Sequence, residues 1–300
     1  MLFDRRLLRL RRDRAAGGLV GHDFLIREAA DRLADRLDDV RRKFPLALDL
    51  GCHGGQLAGV LAGRGGIERL IQSDLSPAMA LRAAAGGSPA IAADEEFLPF
   101  AAESFDLVLS CLALHWVNDL PGALVQIRRA LKPDGLFLAV LFGLGTLGEL
   151  RDCLIEAEAE VHGGASPRVS PFADAREGAQ LLQRAGFALP VADVESVTVT
   201  YPDALALMRE LGGMGESNAA RARSNRFAGR KLFARAAALY AARHGGSDGR
   251  VPARFRLLYL TGWAPHESQQ QALRPGSARQ RLAEALGTVE RPAGERARPK

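Results

Sequence analysis

Apolar residues along this chain fall into two rhythms. From Phe24 to Val40 the positions Leu25, Ala29, Leu33 and Leu37 recur at helical spacing. This predicts a helix ahead of the first short apolar run, Leu46–Leu50. Similar runs predict strands at Arg69–Gln72, Ala90–Ala92, Phe105–Ser110 and Leu136–Phe142, with helical segments near Gln56–Ala62, Pro77–Ala85 and Leu120–Leu131. Strands that alternate with helices imply a parallel sheet covered on both faces.

After Gly143 the rhythm changes. A helix is expected near Thr146–Val161, then a stiff loop "SPRVSPF" with Pro167 and Pro171, then a helix near Ala173–Ala185. The alternating stretch "VESVTVTY" and Ala253–Trp263 read as two more strands. The chain thus divides into an N-terminal helical segment (1–43), a sheet domain (44–272) and a polar tail without aromatics (273–300), expected to be mobile. Within the sheet domain, residues 201–252 form a helical insertion before the last strand, read as a lid or substrate platform.

Composition narrows the function classes. The 300 residues carry a net charge of +5 and are 47% hydrophobic, which suits one large domain with an appended part. No apolar run is long enough to span a bilayer. The start, "MLFDRRLLRLRRDRAA", is arginine-rich but lacks a continuous apolar core, and Asp4 and Asp13 argue against a mitochondrial presequence. Cys52, Cys111 and Cys153 have no paired spacing, which excludes a disulfide framework and a cysteine-rich zinc site and suits a reducing interior. The basic excess is spread along the chain, so nucleic-acid binding is not expected.

The chemistry starts at "LALDLGCHGGQLAGVLAGRG", Leu46 to Gly65: a buried strand, a tight glycine turn and a helix. Gly51 and Gly55 lack a Cβ, so the chain can turn sharply and bring its N–H groups close to a ligand. Asp49 ends the strand and can accept from the loop or from a ligand ammonium. Such a loop alone also suits dinucleotide enzymes. Two further acidic strand ends sharpen it. Asp74 closes the second strand, where a carboxylate can accept both hydroxyls of a ribose, while Ser76 and Pro77 start the next helix. Asp94 follows the third strand, where it can accept from an adenine amino group, and Glu95 offers its backbone N–H to the ring. Ser110 and Cys111 end the fourth strand.

This succession, D-x-G-x-x-x-G, an acidic second strand end, "DEEFLPF", "SFDLVLS" and "LKPDG", resembles class I S-adenosylmethionine-dependent methyltransferases. The resemblance implies a Rossmann-like α/β fold with a mostly parallel seven-stranded sheet and helices on both faces. It implies S-adenosylmethionine held by Asp49, Gly51, Cys52, Gly55, Asp74, Leu75, Asp94, Glu95 and Ser110. His53 stands where such proteins carry glycine. A left-handed backbone there costs a histidine roughly 1–2 kcal/mol, so the loop is expected to work with weakened affinity.

Further segments extend the likeness: "FDRRLLRLRRDRAA", "FPLALDLGC", "ADEEFLPF", "LHWVNDLPGAL", "SPRVSPF", "GGMGESN", "YLTGW" and "HESQ". From about Phe3 to Gln269 the chain resembles the family of respiratory complex I assembly factor 5, an arginine hydroxylase with a methyltransferase fold. That resemblance implies hydroxylation of an arginine on an iron–sulfur subunit of complex I, in a bacterial cytoplasm rather than a mitochondrial matrix, with no membrane span and peripheral membrane association left open.

The residues themselves show no oxidant. None of the six histidines begins an H-x-D or H-x-E motif, so no metal site is expected, and His266–Glu267 reads as a surface or hinge pair. The catalytic residue is left unknown, with His115, Glu216 and Asn218 as candidates. His115 either positions a substrate or packs at a helix start, and Trp116 reads as core or pocket wall. Glu216 and Asn218 either meet a guanidinium or cap a helix. Arg221, Arg223, Arg226, Arg230 and Lys231 read as a solvated face. Methyl transfer, for example to a carrier-bound carboxylate, and a non-catalytic assembly chaperone are the alternatives.

Overall fold

The computed structural model describes residues 1–224, 226–270, 277, 280–289 and 294. The chain separates into two compact units, Met1–Pro265 and His266–Lys300. The second holds one short helix among its described residues, Leu282–Ala285. Most of the tail expected from 273, and the expected boundary at 272, lie outside the described residues.

The first unit is built on seven strands: β1 (Leu46–Leu50), β2 (Arg69–Asp74), β3 (Ala90–Ala92), β4 (Phe105–Cys111), β5 (Leu131–Phe142), β6 (Ala188–Tyr201) and β7 (Val251–Trp263). Their order across the sheet is β3-β2-β1-β4-β5-β7-β6. The first five pair in parallel, and β7 and β6 add antiparallel. Strand order reverses between β1 and β4, the place where open α/β sheets leave a crevice beyond the carboxyl ends.

Each strand serves two cores. Ala47 faces one apolar layer and Leu48 and Leu50 the other, which explains why β1 reads as continuously apolar. Helix α2 (Phe24–Asp38) seals the first layer with Leu25, Ala29, Leu33 and Leu37, all fully buried. Helix α3 (Gln56–Val60) follows the glycine turn. Helix α4 (Pro77–Ala84) starts where expected: Ser76 Oγ accepts from Met79 N, and Pro77 occupies the first turn. Helix α5 (Leu120–Ala130) is capped by Asp119, which accepts from Gly122 N.

β5 begins five residues earlier than its apolar run. Phe105 pairs with Leu131 and Leu107 with Leu136, so "KPDG" bulges out of the ladder, with Asp134 left-handed at φ +61°. Helix α6 (Gly148–His162) and helix α7 (Ala175–Arg184) follow, the latter closed by a reciprocal cap between Asp174 and Glu177. The insertion between β6 and β7 supplies α8 (Ala204–Gly213) and α9 (Gly229–His244).

The N-terminal segment is integral to this unit. Helix α1 (Arg5–Ala16), capped by Asp4, buries Leu8, Arg12 and Ala15 on one stripe. Its lead-in is stitched to the insertion: Phe3 bridges Ala220, Asp4 N donates to Ala219 O at 2.8 Å, and Arg221 N donates to Leu2 O at 2.8 Å. The Arg221–Lys231 segment is therefore only partly a solvated face. Arg223 reaches Asp4 at 3.6 Å, whereas Arg226, Arg230 and Lys231 are exposed.

Candidate functional site

The glycine turn after β1 needs its glycines. Gly51 has φ +76°, and a Cβ built there would lie 2.1 Å from Ala113 Cβ. Gly51 N and Cys52 N donate to Ser73 O at 2.8 and 2.9 Å, tying the turn to the tip of β2. His53 adopts the left-handed backbone that the substitution for glycine threatened, φ +47°. Its N–H donates to Asp74 Oδ2 at 3.0 Å.

The His53 imidazole is buried and spans to the end of β4. Nε2 lies 3.0 Å from Cys111 O and 3.1 Å from Leu112 O. Carbonyls only accept, so Nε2 carries the proton and Nδ1, which has no partner, is a bare acceptor. Burial, with the charge of Arg12 next, pushes the imidazole pKa down to about 4, so the ring is neutral near neutral pH.

Four acidic side chains gather at the neighbouring strand ends. Asp49 is fully buried and neither carboxyl oxygen has a partner. Burial first, and the charge of Asp74 second, push its pKa up to about 8. Asp74 Oδ1 accepts from Ser76 N at 2.8 Å, and Oδ2 lies 3.4 Å from Arg12 Nη1. The same Arg12 nitrogen lies 3.3 Å from Glu95 Oε1. Arg5 Nη2 donates to Asp94 Oδ1 at 2.6 Å and also to Glu95 Oε2. Burial opposes the charge on Arg12, but Asp74, Glu95 and Glu216 more than reverse this and hold its pKa above the ordinary value.

The structure thus brings Asp49, Gly51, Cys52, Asp74 and Glu95 together at the strand tips, closed over by the Arg12 guanidinium, while Gly55 packs on Ala83 and Gln72 at the start of α3. Glu95, read for its backbone N–H, directs its carboxylate inward: Oε1 would stand 3.4 Å from a Cβ on Gly51. Asp94 sits further out, its side chain 27% exposed and held by Arg5. Leu75 packs with Phe3, Leu8 and Trp116 under the N-terminal segment. Ser110 stays on the sheet, since its hydroxyl donates to Leu50 O at 2.7 Å. Burial pushes the Cys52 thiol pKa well up, which keeps it protonated near neutral pH.

The candidates beyond the turn separate. His115 Nε2 stands 2.9 Å from Glu216 Oε2, and Trp116 Nε1 donates to the same oxygen at 2.8 Å. Glu216 Oε1 has no partner. Burial would raise the Glu216 carboxyl, but His115, by charge and hydrogen bond, and then Arg12 hold it below the ordinary value. Glu216 and Trp116 face a cavity of about 290 Å³. Asn218 also lines it, but as a clamp: Nδ2 donates to Pro167 O at 2.7 Å and Oδ1 accepts from Ala220 N at 2.9 Å.

Arg5 and Arg12 escaped the sequence reading, which gave the N-terminal arginines no part in the site. One signal was available: Arg12 falls on the buried stripe with Leu8 and Ala15. Among the described residues no group of three or more His, Cys, Asp and Glu side chains is arranged to hold a metal ion. No helix there is long and apolar enough to cross a membrane.

The residues fit an adenosine-bearing sulfonium amino acid. Asp74 and Glu95 converge on one guanidinium nitrogen, so both point into one space where hydroxyls could donate to them. Asp49 is a buried acceptor without a donor, and Gly51 lets the backbone turn pass where any side chain would run into Ala113. Arg12 and Arg5 stand on the carboxylates that the sugar and base would use.

A family described as Methyltransferase domain matches residues 48–139, from β1 into β5. The arginine-hydroxylase NDUFAF5, mitochondrial, of Danio rerio is 45% identical over 281 residues, 92% of this chain and 87% of that protein. The malonyl-[acyl-carrier protein] O-methyltransferase of Methylovorus sp. (strain MP688) is 35% identical over 275 residues, 88% of this chain and 90% of that one. The crystal structure of YcgJ from Bacillus subtilis superposes with a TM-score of 0.55 at 15% identity, covering 79% of this chain and 98% of that one. The fold is therefore the Rossmann-like methyltransferase fold expected from the motifs.

Proposed function

The chain belongs to the NDUFAF5 arginine-hydroxylase family, and from that premise we propose that it binds S-adenosylmethionine at the strand tips and hydroxylates an arginine on an iron–sulfur subunit during respiratory complex I assembly. The observation that carries the cofactor half is the convergence of Asp74 and Glu95 on one guanidinium nitrogen beside the unpartnered Asp49. When bound, S-adenosylmethionine supplies an electrophilic methyl group on a positively charged sulfur. Asp49 would hold its ammonium, Asp74 its ribose, and Asp94 and Glu95 its base.

This chain's own part is to bind and orient. The left-handed turn of Gly51, His53 and Gly55 sets the N–H groups. α1 closes over the acidic ends and excludes water through the packing of Leu8 and Phe3 on Trp116. Hydroxylation places one oxygen atom in a C–H bond; with dioxygen as the oxidant, the second oxygen leaves as water and an external donor supplies two electrons and two protons. The bacterial cytoplasm expected from the sequence belongs to the same reading.

Methyl transfer to a carrier-bound carboxylate is the second reading, favoured by the malonyl-carrier relative. The Glu216 carboxylate on the cavity wall weighs against it, because a second carboxylate there would meet like charge. Incubating the protein in air with S-adenosylmethionine, an electron donor and candidate iron–sulfur subunits, then weighing the subunit peptides, separates the readings. A gain of one oxygen on an arginine supports hydroxylation. A gain of one methyl supports transfer, and tight association with no mass change supports an assembly chaperone; either overturns the first reading.

A further inference from the structure

We propose that the cavity beside the strand tips is the receptor for the substrate's guanidinium, with Glu216 Oε1 as its anionic partner and the aromatic wall as its stacking surface. This rests on the arginine-directed reading above and assigns it a place and a residue. The cavity is walled by Phe142, Leu150, Phe172, Met208 and Phe233, and Trp116 and Glu216 also face it. Such a space accepts a long apolar stem and offers its tip one strong contact.

That contact is a buried anion with capacity left over. The Glu216 side chain is 3% exposed. One oxygen already serves His115 and Trp116, and the other has no partner. A buried carboxylate oxygen without a donor is costly to leave so, and Glu216 Oε1 is shut off from water in the wall of an apolar cavity. The surrounding charge also calls for a cation. Among the described residues, Asp74, Asp94, Glu95 and Glu216 face the two cations Arg5 and Arg12, Arg5 being shared with Glu96 as well, and His115 and His53 are the other titratable groups acting on Glu216. Arg168, the remaining charged residue on the cavity wall, is held by Glu158 at 2.5 Å.

The wall chooses between cations. The His115 ring centroid lies 5.4 Å from Trp116, 4.9 Å from Phe142 and 5.8 Å from Phe172, so the carboxylate sits in an aromatic cluster. A planar, weakly hydrated guanidinium stacks on such faces while one edge donates to Oε1. An ammonium gains less there and sheds more water.

Backbone geometry explains how Glu216 is held. Gly215 has φ +84°, and a Cβ there would lie 3.3 Å from Arg12 Cγ. A Cβ on Gly213 would lie 2.1 Å from His22 Cδ2. The glycines of "GGMGESN" thus let the end of α8 close against the N-terminal segment. This brings Glu216 within electrostatic reach of Arg12 and His53, on the wall shared with the strand tips.

The test uses the full chain, labelled with ¹⁵N. Only two tryptophans contribute indole N–H signals, and the one that persists in Trp263→Phe is Trp116, whose N–H donates to Glu216. The probes are N-acetyl-Ala-Arg-Ala-amide, its citrulline counterpart, which keeps the shape and loses the charge, and its lysine counterpart. The arginine peptide should move the Trp116 signal saturably. The citrulline peptide should bind at least tenfold more weakly, with lysine between them. Glu216→Gln, checked for folding by thermal melt, should erase the difference between arginine and citrulline. Equal binding of arginine and citrulline by the wild-type protein, or an unmoved Trp116 signal, overturns the proposal without reliance on any variant at Glu216. A subunit that gains oxygen while Trp116 stays silent sinks this assignment alone. A Trp116 response without oxygen gain sinks the hydroxylase reading alone.

Discussion

Replacing Asp49 by asparagine should stabilise the ligand-free protein increasingly as pH rises, and weaken S-adenosylmethionine binding. The carboxyl is fully buried, neither oxygen has a partner, and its pKa is pushed up to about 8 from an ordinary 3.8. The sign follows from proton linkage. Below about pH 4 the group is protonated in both folded and unfolded chains and contributes no difference. Between about pH 4 and 8 the unfolded chain ionises while the folded one keeps its proton, so stability falls with rising pH by about 1.4 kcal/mol per pH unit. Above about 8 both are ionised and the loss levels off. Between pH 5 and pH 8 the wild-type protein should therefore lose on the order of 3–4 kcal/mol through this group alone. The Asp49→Asn side chain cannot ionise and escapes that loss. Its unpartnered amide costs about 1–3 kcal/mol, independent of pH. The assay is urea denaturation of both proteins at pH 5, 6, 7 and 8, read as the difference in unfolding free energy. That difference should grow by about 3–4 kcal/mol across the series. Titration calorimetry should show the ligand bound some ten- to hundredfold more weakly, the loss of about 1.5–3 kcal/mol for a charged hydrogen bond. Parallel pH dependences, or unchanged affinity, would refute the reasoning that Asp49 is a buried acid waiting for a cation.

Three further outcomes are expected. His53→Gly removes the left-handed strain of roughly 1–2 kcal/mol and frees the Cys111 and Leu112 carbonyls, so calorimetry should show affinity for S-adenosylmethionine rising about tenfold, one hydrogen bond's worth; a fall in affinity would show that the imidazole is itself a ligand group. Arg12→Met leaves Asp74 and Glu95 facing each other without their shared cation and should cost about 3–5 kcal/mol in urea unfolding, with most of that recovered on adding ligand; a neutral effect would mean the pairing at 3.3–3.4 Å is incidental. Gly51→Ala combines a positive φ with a methyl 2.1 Å from Ala113, and should lower the midpoint of thermal unfolding by several degrees while abolishing ligand binding; a protein of wild-type stability would contradict the close approach.

The parts of this protein that were legible in its sequence are those encoded locally. β1, the glycine turn, Ser76–Pro77 and the strand-ending acids Asp49 and Asp74 follow from neighbours a few residues apart. The alternating stretch before Tyr201 reads correctly as a strand because β6 is an edge with one exposed face. What stayed hidden depends on distant pairing. Arg12 meets Asp74 and Glu95 across more than sixty residues, and His115 meets Glu216 across about a hundred. Such pairs leave no periodic trace, so an arginine run looks the same whether it faces water or closes a site. Side-chain direction after a short strand was hidden for a related reason. Once β3 ends at Ala92, only tertiary packing decides that Glu95 turns inward and Asp94 outward. Asn218 shows the converse, a polar residue in the right place whose amide nitrogen and oxygen are each already engaged, by Pro167 and Ala220.

Ultraviolet cross-linking of radiolabelled S-adenosylmethionine to the full chain, followed by peptide mapping, tests the central claim most directly. The account predicts label on the peptides that carry Gly51–Gly55, Asp74 or Asp94–Glu95, competed away by unlabelled S-adenosylhomocysteine. Label confined to other segments, or none above a heat-denatured control, would contradict it.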